Sequence, residues 1–392
     1  MGRSEAVKKT RIVRRGLAFL AIIYLGWLAW QIVFFRRYGA AAPANSAVEA
    51  AETPRYWESE GVYHVHTSFS DGRRSADEVA AIGAKAGLDF VILTDHGAPN
   101  EASLAAQGRK SGILLLAGCE ISSNRGHLAA LGFAVPTRPF SQEAEMAARE
   151  VAGLGGFTII AHPYSKIHWS WGPWAGYGGI EIFNGDTTVK RRLVRTVLSL
   201  PILLIRPEAA LLRLLAPPQA ETGKWDRLAA AHPTFAYFAA DAHFAYGALF
   251  TLFHLHVLLD SPPASDFEGA RGQIFAALKA GRFYNAVEAA ASARGFRFQA
   301  EAEDVLLPMG STAPPGAGPV RFVVRTPFAF AHETYLLRNG IEIARSAGPE
   351  LVFRTAGPGV FRVEVFLRER SPLDPRVPWI VSNPIFLERP SR

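Results

Sequence analysis

Gly61-Val-Tyr-His64-Val-His66-Thr-Ser-Phe-Ser-Asp71-Gly72 joins a short apolar run to a polar turn, with two histidines at the junction. The run reads as a β-strand, in which residues two apart point to the same side. Both imidazoles therefore face one way, a spacing that suits a shared metal ion. The helical pattern Ser75 to Ala86 follows, then further apolar runs at Phe90 to Leu93, Ile113 to Leu116, Phe157 to Ala161 and Gly179 to Phe183, each beside a Gly or Pro signal. Strands alternating with helical patterns predict an α/β fold with parallel strands and helices outside.

The polar residues after these runs repeat the theme. Thr94-Asp95-His96 follows the second run, Glu120 the third, and Gly126-His127 comes soon after. His162-Pro163 and Asp241-Ala242-His243 close later ones. In a (β/α) barrel the C-terminal strand ends open on one face, so ligands far apart in sequence meet in one pocket. Taken singly, each of these short motifs reads as a surface turn or a solvated charge. His254-Leu255-His256 is such a case, read as a packing or surface pair without an acidic neighbour in sequence.

In this order the motifs resemble those of the polymerase and histidinol phosphatase (PHP) family, over about residues 60–290. The resemblance implies a distorted (β/α)7 barrel and a metal-dependent phosphoesterase that uses two or three divalent ions. By motif, the implied ligands are His64, His66, Asp71, His96, Glu120, His127, His162, Asp241 and His243. Six imidazoles and three carboxylates without thiolate suit Zn, Mn or Fe. Such ions activate a water for attack on a phosphomonoester or phosphodiester. Asp95, Glu120 and His243 are the expected catalytic residues. Glu120 or Asp71 bridges ions, and Asp95 orients a ligand or donates a proton to the leaving oxygen. A nuclease of the same family and a non-catalytic metal-bound envelope scaffold are the alternatives.

Substrate contacts are expected from Arg125, Trp169, Trp171, Asn184 and Arg191, the arginines as phosphate clamps and the aromatics as walls. Core packing accounts equally well for the aromatics, which Trp174 and Tyr177 extend.

The 392 residues include 42 Lys and Arg, 35 Asp and Glu, and one Cys, which excludes an intrachain disulfide and any Cys-rich zinc module. The first 37 residues carry eight of the basic and one of the acidic groups, so the rest balances at 34 of each. No broad nucleic-acid surface is expected. Gly16 to Phe35 is an uncharged run long enough for a membrane helix, with the basic tail 1–15 before it. The expected topology is single-pass with a cytoplasmic N-terminus, the bilayer as partner and the catalytic domain extracytoplasmic, on the periplasmic side. Ala42-Pro43-Ala44 offers the competing reading of a cleaved signal peptide.

The expected division is then a linker over 36–57, a barrel over 58–292 and an apolar, Arg-bearing helical insertion over 188–224. Pro201 and Pro207 should break that insertion into short helices. It reads either as core helices or as a lid or membrane-surface pair. Over 293–392 the pattern changes to strict alternation with a hairpin signal at Asn339-Gly340, predicting a small all-β sandwich. Gly281-Arg282-Phe283-Tyr284 and the tail Pro378-Trp379-Ile-Val-Ser382-Asn383-Pro384-Ile385 are similar to membrane-anchored bacterial PHP proteins that carry such a C-terminal sandwich.

Overall fold

The structure is a computed structural model that describes residues 2–34, 56–191, 193–303, 305–313, 318–369 and 371–388. Nearly all of the expected linker lies outside the described residues.

The strand Trp57–Val65 is the hub. Its second half pairs in parallel with Phe90–Leu93, and its first half pairs antiparallel with His254–Leu259. Gly61 permits the close approach to Phe90, since a Cβ there would stand 2.4 Å from the Phe90 carbonyl oxygen. The helix Ala76–Lys85 covers this region. Ser75 and Glu78 form a capping box at its start, and Val79, Ala80 and Gly83 form its buried face. Phe90–Leu93 pairs in parallel with Ile113–Ala117, as expected of strands buried on both faces.

No closed barrel forms among the described residues. Trp57–Val65, Phe90–Leu93 and Ile113–Ala117 belong to a 12-stranded sheet. Cys119–Ser123, Gly126–Leu131, Phe157–Ile160, Gly179–Asn184 and Phe235–Ala239 make a separate five-stranded one. Isolated bridges, Val65 to Ala242 and His96 to Glu120, link the two sheets. The (β/α)7 expectation fails because the chain reverses antiparallel at Cys119–Ser123, Gly126–Leu131 and Phe157–Ile160, breaking the parallel progression.

Nor do the described residues form a distinct C-terminal sandwich. The strand Ile380–Ser382 pairs with both Phe283–Ala286 and Gly359–Leu367, so the C-terminal strands continue the 12-stranded sheet. Polar side chains buried at this seam fix the join. Asn383 accepts from the Ala236 amide at 2.8 Å, and the Trp379 indole donates to Ala291 O at 3.0 Å. The remaining sheet holds four strands, Val305–Pro308, Arg297–Ala302, Val320–Arg325 and Glu350–Thr355. Phe322 stacks on Phe361 across the layers at 4.4 Å. Asn339 and Gly340 both have positive φ, making the hairpin turn between His332–Arg338 and Ile341–Ser346.

The membrane expectation is likewise corrected: among the described residues, no helix is long and apolar enough to cross a membrane. Residues 16–34 of the apolar run belong to one helix, Gly2–Phe34, that begins inside the basic tail. One side of it docks on protein. Tyr24 donates to Leu198 O at 2.5 Å, and the Arg213 guanidinium lies 5.3 Å from the Trp27 ring centre. The single-pass topology, the bilayer partner and the extracytoplasmic placement fall with the span, and so does the resemblance to a membrane-anchored, sandwich-bearing subgroup.

Leu198 and Arg213 belong to the insertion, which forms the helices Gly185–Arg191, Leu193–Ile205 and Pro207–Leu214. Pro201 sits inside the second rather than ending it, whereas Pro207 starts the third, where a missing amide hydrogen costs nothing.

Candidate metal centre

The fold brings five histidines from four segments of the chain to one carboxylate. Glu120, 1% exposed, is held by the Cys119–Ser123 strand. Its Oε1 lies 2.9 Å from both His127 Nδ1 and His162 Nε2. Its Oε2 lies 3.2 Å from His66 Nε2, 3.3 Å from His96 Nδ1 and 3.4 Å from His64 Nε2. Asp241 Oδ1 approaches His64 Nε2 at 3.4 Å, His243 Nδ1 at 3.5 Å and His66 Nε2 at 3.7 Å. Asp71 reaches in from the opposite rim, 3.2 Å from both His66 Nδ1 and His243 Nε2 and 3.6 Å from His96 Nε2.

Four overlapping sets of potential ligands result: His66, Asp71, His96 and His243; His64, Glu120 and His162; His64, His66 and Asp241; and His96, Glu120 and His127. In each, the ligand atoms lie within 4.8 Å of one another.

The local backbone is bent to make this convergence. His64, His162 and Asp241 all have positive φ (65°, 26° and 47°), a region L-residues enter at a cost of about 1–3 kcal/mol each. His64 Nε2, His66 Nε2 and His96 Nδ1 are buried yet have no hydrogen-bond partner. All three aim at Glu120 Oε2 from 3.2 to 3.4 Å, at or past the long end of a good hydrogen bond. Buried polar atoms left so are expensive, and a cation between them and the carboxylate would satisfy them together. The residues present thus fit divalent metal ions.

The charges of the cluster also hold one another. Burial raises the Glu120 carboxyl pKa, but the surrounding imidazoles of His64, His127 and His162 outweigh it and keep the group well below the usual range. Burial likewise lowers His66, yet the neighbouring carboxylates of Asp71 and Glu120 bring it up to about 9.

A second tier orients the ligands. Glu181, 1% exposed on the Gly179–Asn184 strand, accepts from His64 Nδ1 at 2.6 Å and Tyr63 Oη at 3.0 Å through Oε1. Its Oε2 accepts from the His162 amide at 2.7 Å and from Asn184 Nδ2 at 2.8 Å. A carboxylate behind a histidine is the usual outer-shell partner of a metal-bound imidazole. Glu181 is not among the residues expected from sequence; a charged residue in the middle of an otherwise apolar strand is the signal that marks it. Ser165 Oγ stands 3.1 Å from His162 Nδ1 in the same manner.

Asp95 sits apart from the cluster. Its carboxylate accepts from the Thr67 amide (2.6 Å), Thr67 Oγ1 (2.8 Å), Ser70 Oγ (2.7 Å) and Ser103 Oγ (2.7 Å). It pins the loop that carries His66 and Asp71.

The cluster floors an open cavity of about 620 Å³, walled by Tyr164, Ser165, Lys166, Ile167, His168, Asp186, Thr187, Lys190 and Arg191. Of the expected substrate contacts, Arg191 alone lines it, and its guanidinium is engaged by Glu221 and by Tyr164 O. Arg125 lies near Glu145 and against Gly172, Trp169 is buried against Tyr177, and Trp171 packs between Tyr164 and Lys224. Asn184 is spent on Glu181 and on the Thr187 amide. Lys166, His168 and Lys190 were not singled out in sequence, because only the fold carries the loop after His162 and the Gly185–Arg191 helix to one rim.

No protein-family model matches this chain, and no curated protein matches it. Among solved structures it is similar to a two-domain protein from Bacteroides vulgatus that contains a predicted PHP-like metal-dependent phosphoesterase. That similarity has 14% identity and a TM-score of 0.39, and covers 84% of this chain and 95% of the other. It is also similar to a protein from Bifidobacterium adolescentis provisionally described as a metal-dependent phosphoesterase, with 15% identity, a TM-score of 0.33, and 47% and 88% covered. A third is an amidohydrolase from Chromobacterium violaceum with bound sulfate and no metal, with 18% identity, a TM-score of 0.31, and 46% and 87% covered. At these scores the likeness carries no functional argument.

Proposed function

We propose that the protein is a metal-dependent hydrolase of phosphoester bonds, with His64, His66, Asp71, His96, Glu120, His127, His162, Asp241 and His243 holding two or three divalent ions. The three unpartnered buried imidazole nitrogens around Glu120 Oε2 carry this reading. The motif order in the sequence agrees with it.

Bound there, the ions would supply Lewis acidity toward phosphoryl oxygens and lower the pKa of water. The chain's own residues do the rest. Glu120 presents both oxygens to different imidazoles, which is the disposition a bridging carboxylate needs. Glu181 fixes the His64 ring by accepting a hydrogen bond from its Nδ1–H. Lys166 puts a cationic group on the cavity rim, where it favours an anionic ester over a neutral one, while Lys190 is paired with Asp186 at 2.5 Å. Asp95 holds the Asp71 loop in place through four hydrogen bonds rather than meeting the substrate.

The test is turnover of p-nitrophenyl phosphate and bis(p-nitrophenyl) phosphate by the purified full chain with Mn2+ or Zn2+. Activity that chelation removes and that Glu120→Gln reduces to background is the expected result. No turnover of either ester with any divalent ion would overturn the proposal.

A further inference from the structure

A second group of ionisable side chains lies at the opposite end of the same strand. Glu58 and Glu60 alternate along the start of Trp57–Val65, while His64 ends it four residues on, about 13 Å away at strand rise. In the antiparallel partner strand, Glu60 stands opposite His256. His254 lies two residues before, hence on the same face. Glu288 arrives just past the next strand, Phe283–Ala286. His254 Nδ1 is 2.5 Å from Glu60 Oε1, and His256 Nε2 is 3.2 Å from Glu288 Oε2. One ligand atom from each of these four residues falls within 4.8 Å of the others.

The atoms that do not face the centre are already engaged. His254 Nε2 donates to Phe250 O at 2.5 Å, and His256 Nδ1 donates to Glu58 Oε1 at 2.9 Å. Glu58 is itself fixed by Tyr284 Oη and by Arg297, and Glu60 Oε2 pairs with Arg294 at 2.9 Å. Carbonyl and carboxylate acceptors on the outer nitrogens set each imidazole to present its other nitrogen inward, as outer-shell partners do at metal sites. His254, His256 and Glu288 are 3%, 0% and 1% exposed. Three carboxylates face two guanidinium groups, so a buried negative charge needs a further cation, either an imidazolium proton or a bound ion.

We propose that Glu60, His254, His256 and Glu288 bind one divalent transition-metal ion as a structural site separate from the candidate catalytic centre. Two imidazoles and two carboxylates without thiolate suit zinc, and four protein ligands leave no open position for a substrate. The ion would clamp the first strand to its antiparallel partner His254–Leu259 and to the segment that follows Phe283–Ala286. This inference does not rest on the proposed phosphoesterase activity.

Crystals of the full chain grown with Zn2+ test it directly. An anomalous difference peak at the zinc edge between His254 Nδ1 and His256 Nε2 is expected. In solution, His256→Gln and Glu288→Gln should each lose one zinc per chain against the parent while ester hydrolysis stays unchanged. Two variants are named because one alone may fail to fold. No anomalous peak there, with zinc present at the Glu120 cluster, would overturn the proposal and leave an ion-pair network in its place. An unchanged zinc content in both variants would overturn it equally. A protein that shows the peak yet hydrolyses no ester would refute only the catalytic reading.

Discussion

Glu181 Oε1 lies 2.6 Å from His64 Nδ1, with both groups fully buried, so the imidazole has one nitrogen committed outward and one facing Glu120 and Asp241. Replacing Glu181 by Gln keeps an acceptor but removes the charge that polarises the ring. Metal affinity should fall about 10- to 100-fold, as outer-shell changes typically do. Calorimetric titration of the chelator-treated protein with Zn2+ reads this, and an unchanged affinity would remove Glu181 from the site's support.

Asp95→Asn separates positioning from proton donation. The four hydrogen bonds that Asp95 accepts make it an anchor for the 66–71 loop, so the variant should lose kcat/KM by a similar factor for p-nitrophenyl and alkyl phosphates. A proton donor to the leaving oxygen would instead show a much larger loss with the poor alkyl leaving group. That asymmetry is the outcome that contradicts the anchoring role.

Gly310→Ala probes the join between the C-terminal strands and the rest. Gly310 has φ 84°, and a Cβ there would stand 1.7 Å from Ala280 O, a backbone atom. The expected destabilisation is on the order of 3 kcal/mol. Because the strands share one sheet, it should appear as a lower Tm of a single calorimetric transition. An early, separate transition would show that the C-terminal strands melt independently.

Acid sensitivity should arise in part from Glu58. Burial raises its carboxyl, but hydrogen bonding and charge from His256, then Arg297 and Tyr284, overcome this and lower it from 4.5 to about 2. A depressed carboxyl stabilises the fold fully above its unfolded value, and that contribution disappears as pH falls from 4.5 through about 2. The difference is worth on the order of 3 kcal/mol. Urea unfolding of chelator-treated protein across this range should show a steeper loss of stability for the parent than for Glu58→Gln. Parallel curves would count against it.

What local chemistry determines was legible without coordinates. The strands at Phe90–Leu93, Ile113–Ala117 and Phe157–Ile160 follow from short apolar runs bounded by turn signals, and the Asn339-Gly340 hairpin follows from two residues that tolerate positive φ. The histidines and acids after those runs were likewise visible as a series, because chemistry-bearing residues recur at strand ends.

Sheet membership was not legible. The alternation beyond residue 293 says that one face of each strand is buried, but not against what; the pairing of Ile380–Ser382 with Phe283–Ala286 merges those strands into the larger sheet. Gly16 to Phe35 is apolar by composition, yet the structure makes residues 16–34 part of a longer helix leaning on the insertion through Tyr24 and Trp27. His254 and His256 looked unaccompanied because their acids, Glu60 and Glu288, are distant in sequence and meet them only through antiparallel pairing. Hydrophobic periodicity and turn propensity act over a few residues and are written in the chain itself. Which edges join, and which charges are buried together, is settled by packing between segments hundreds of residues apart, and only the tertiary structure decides it.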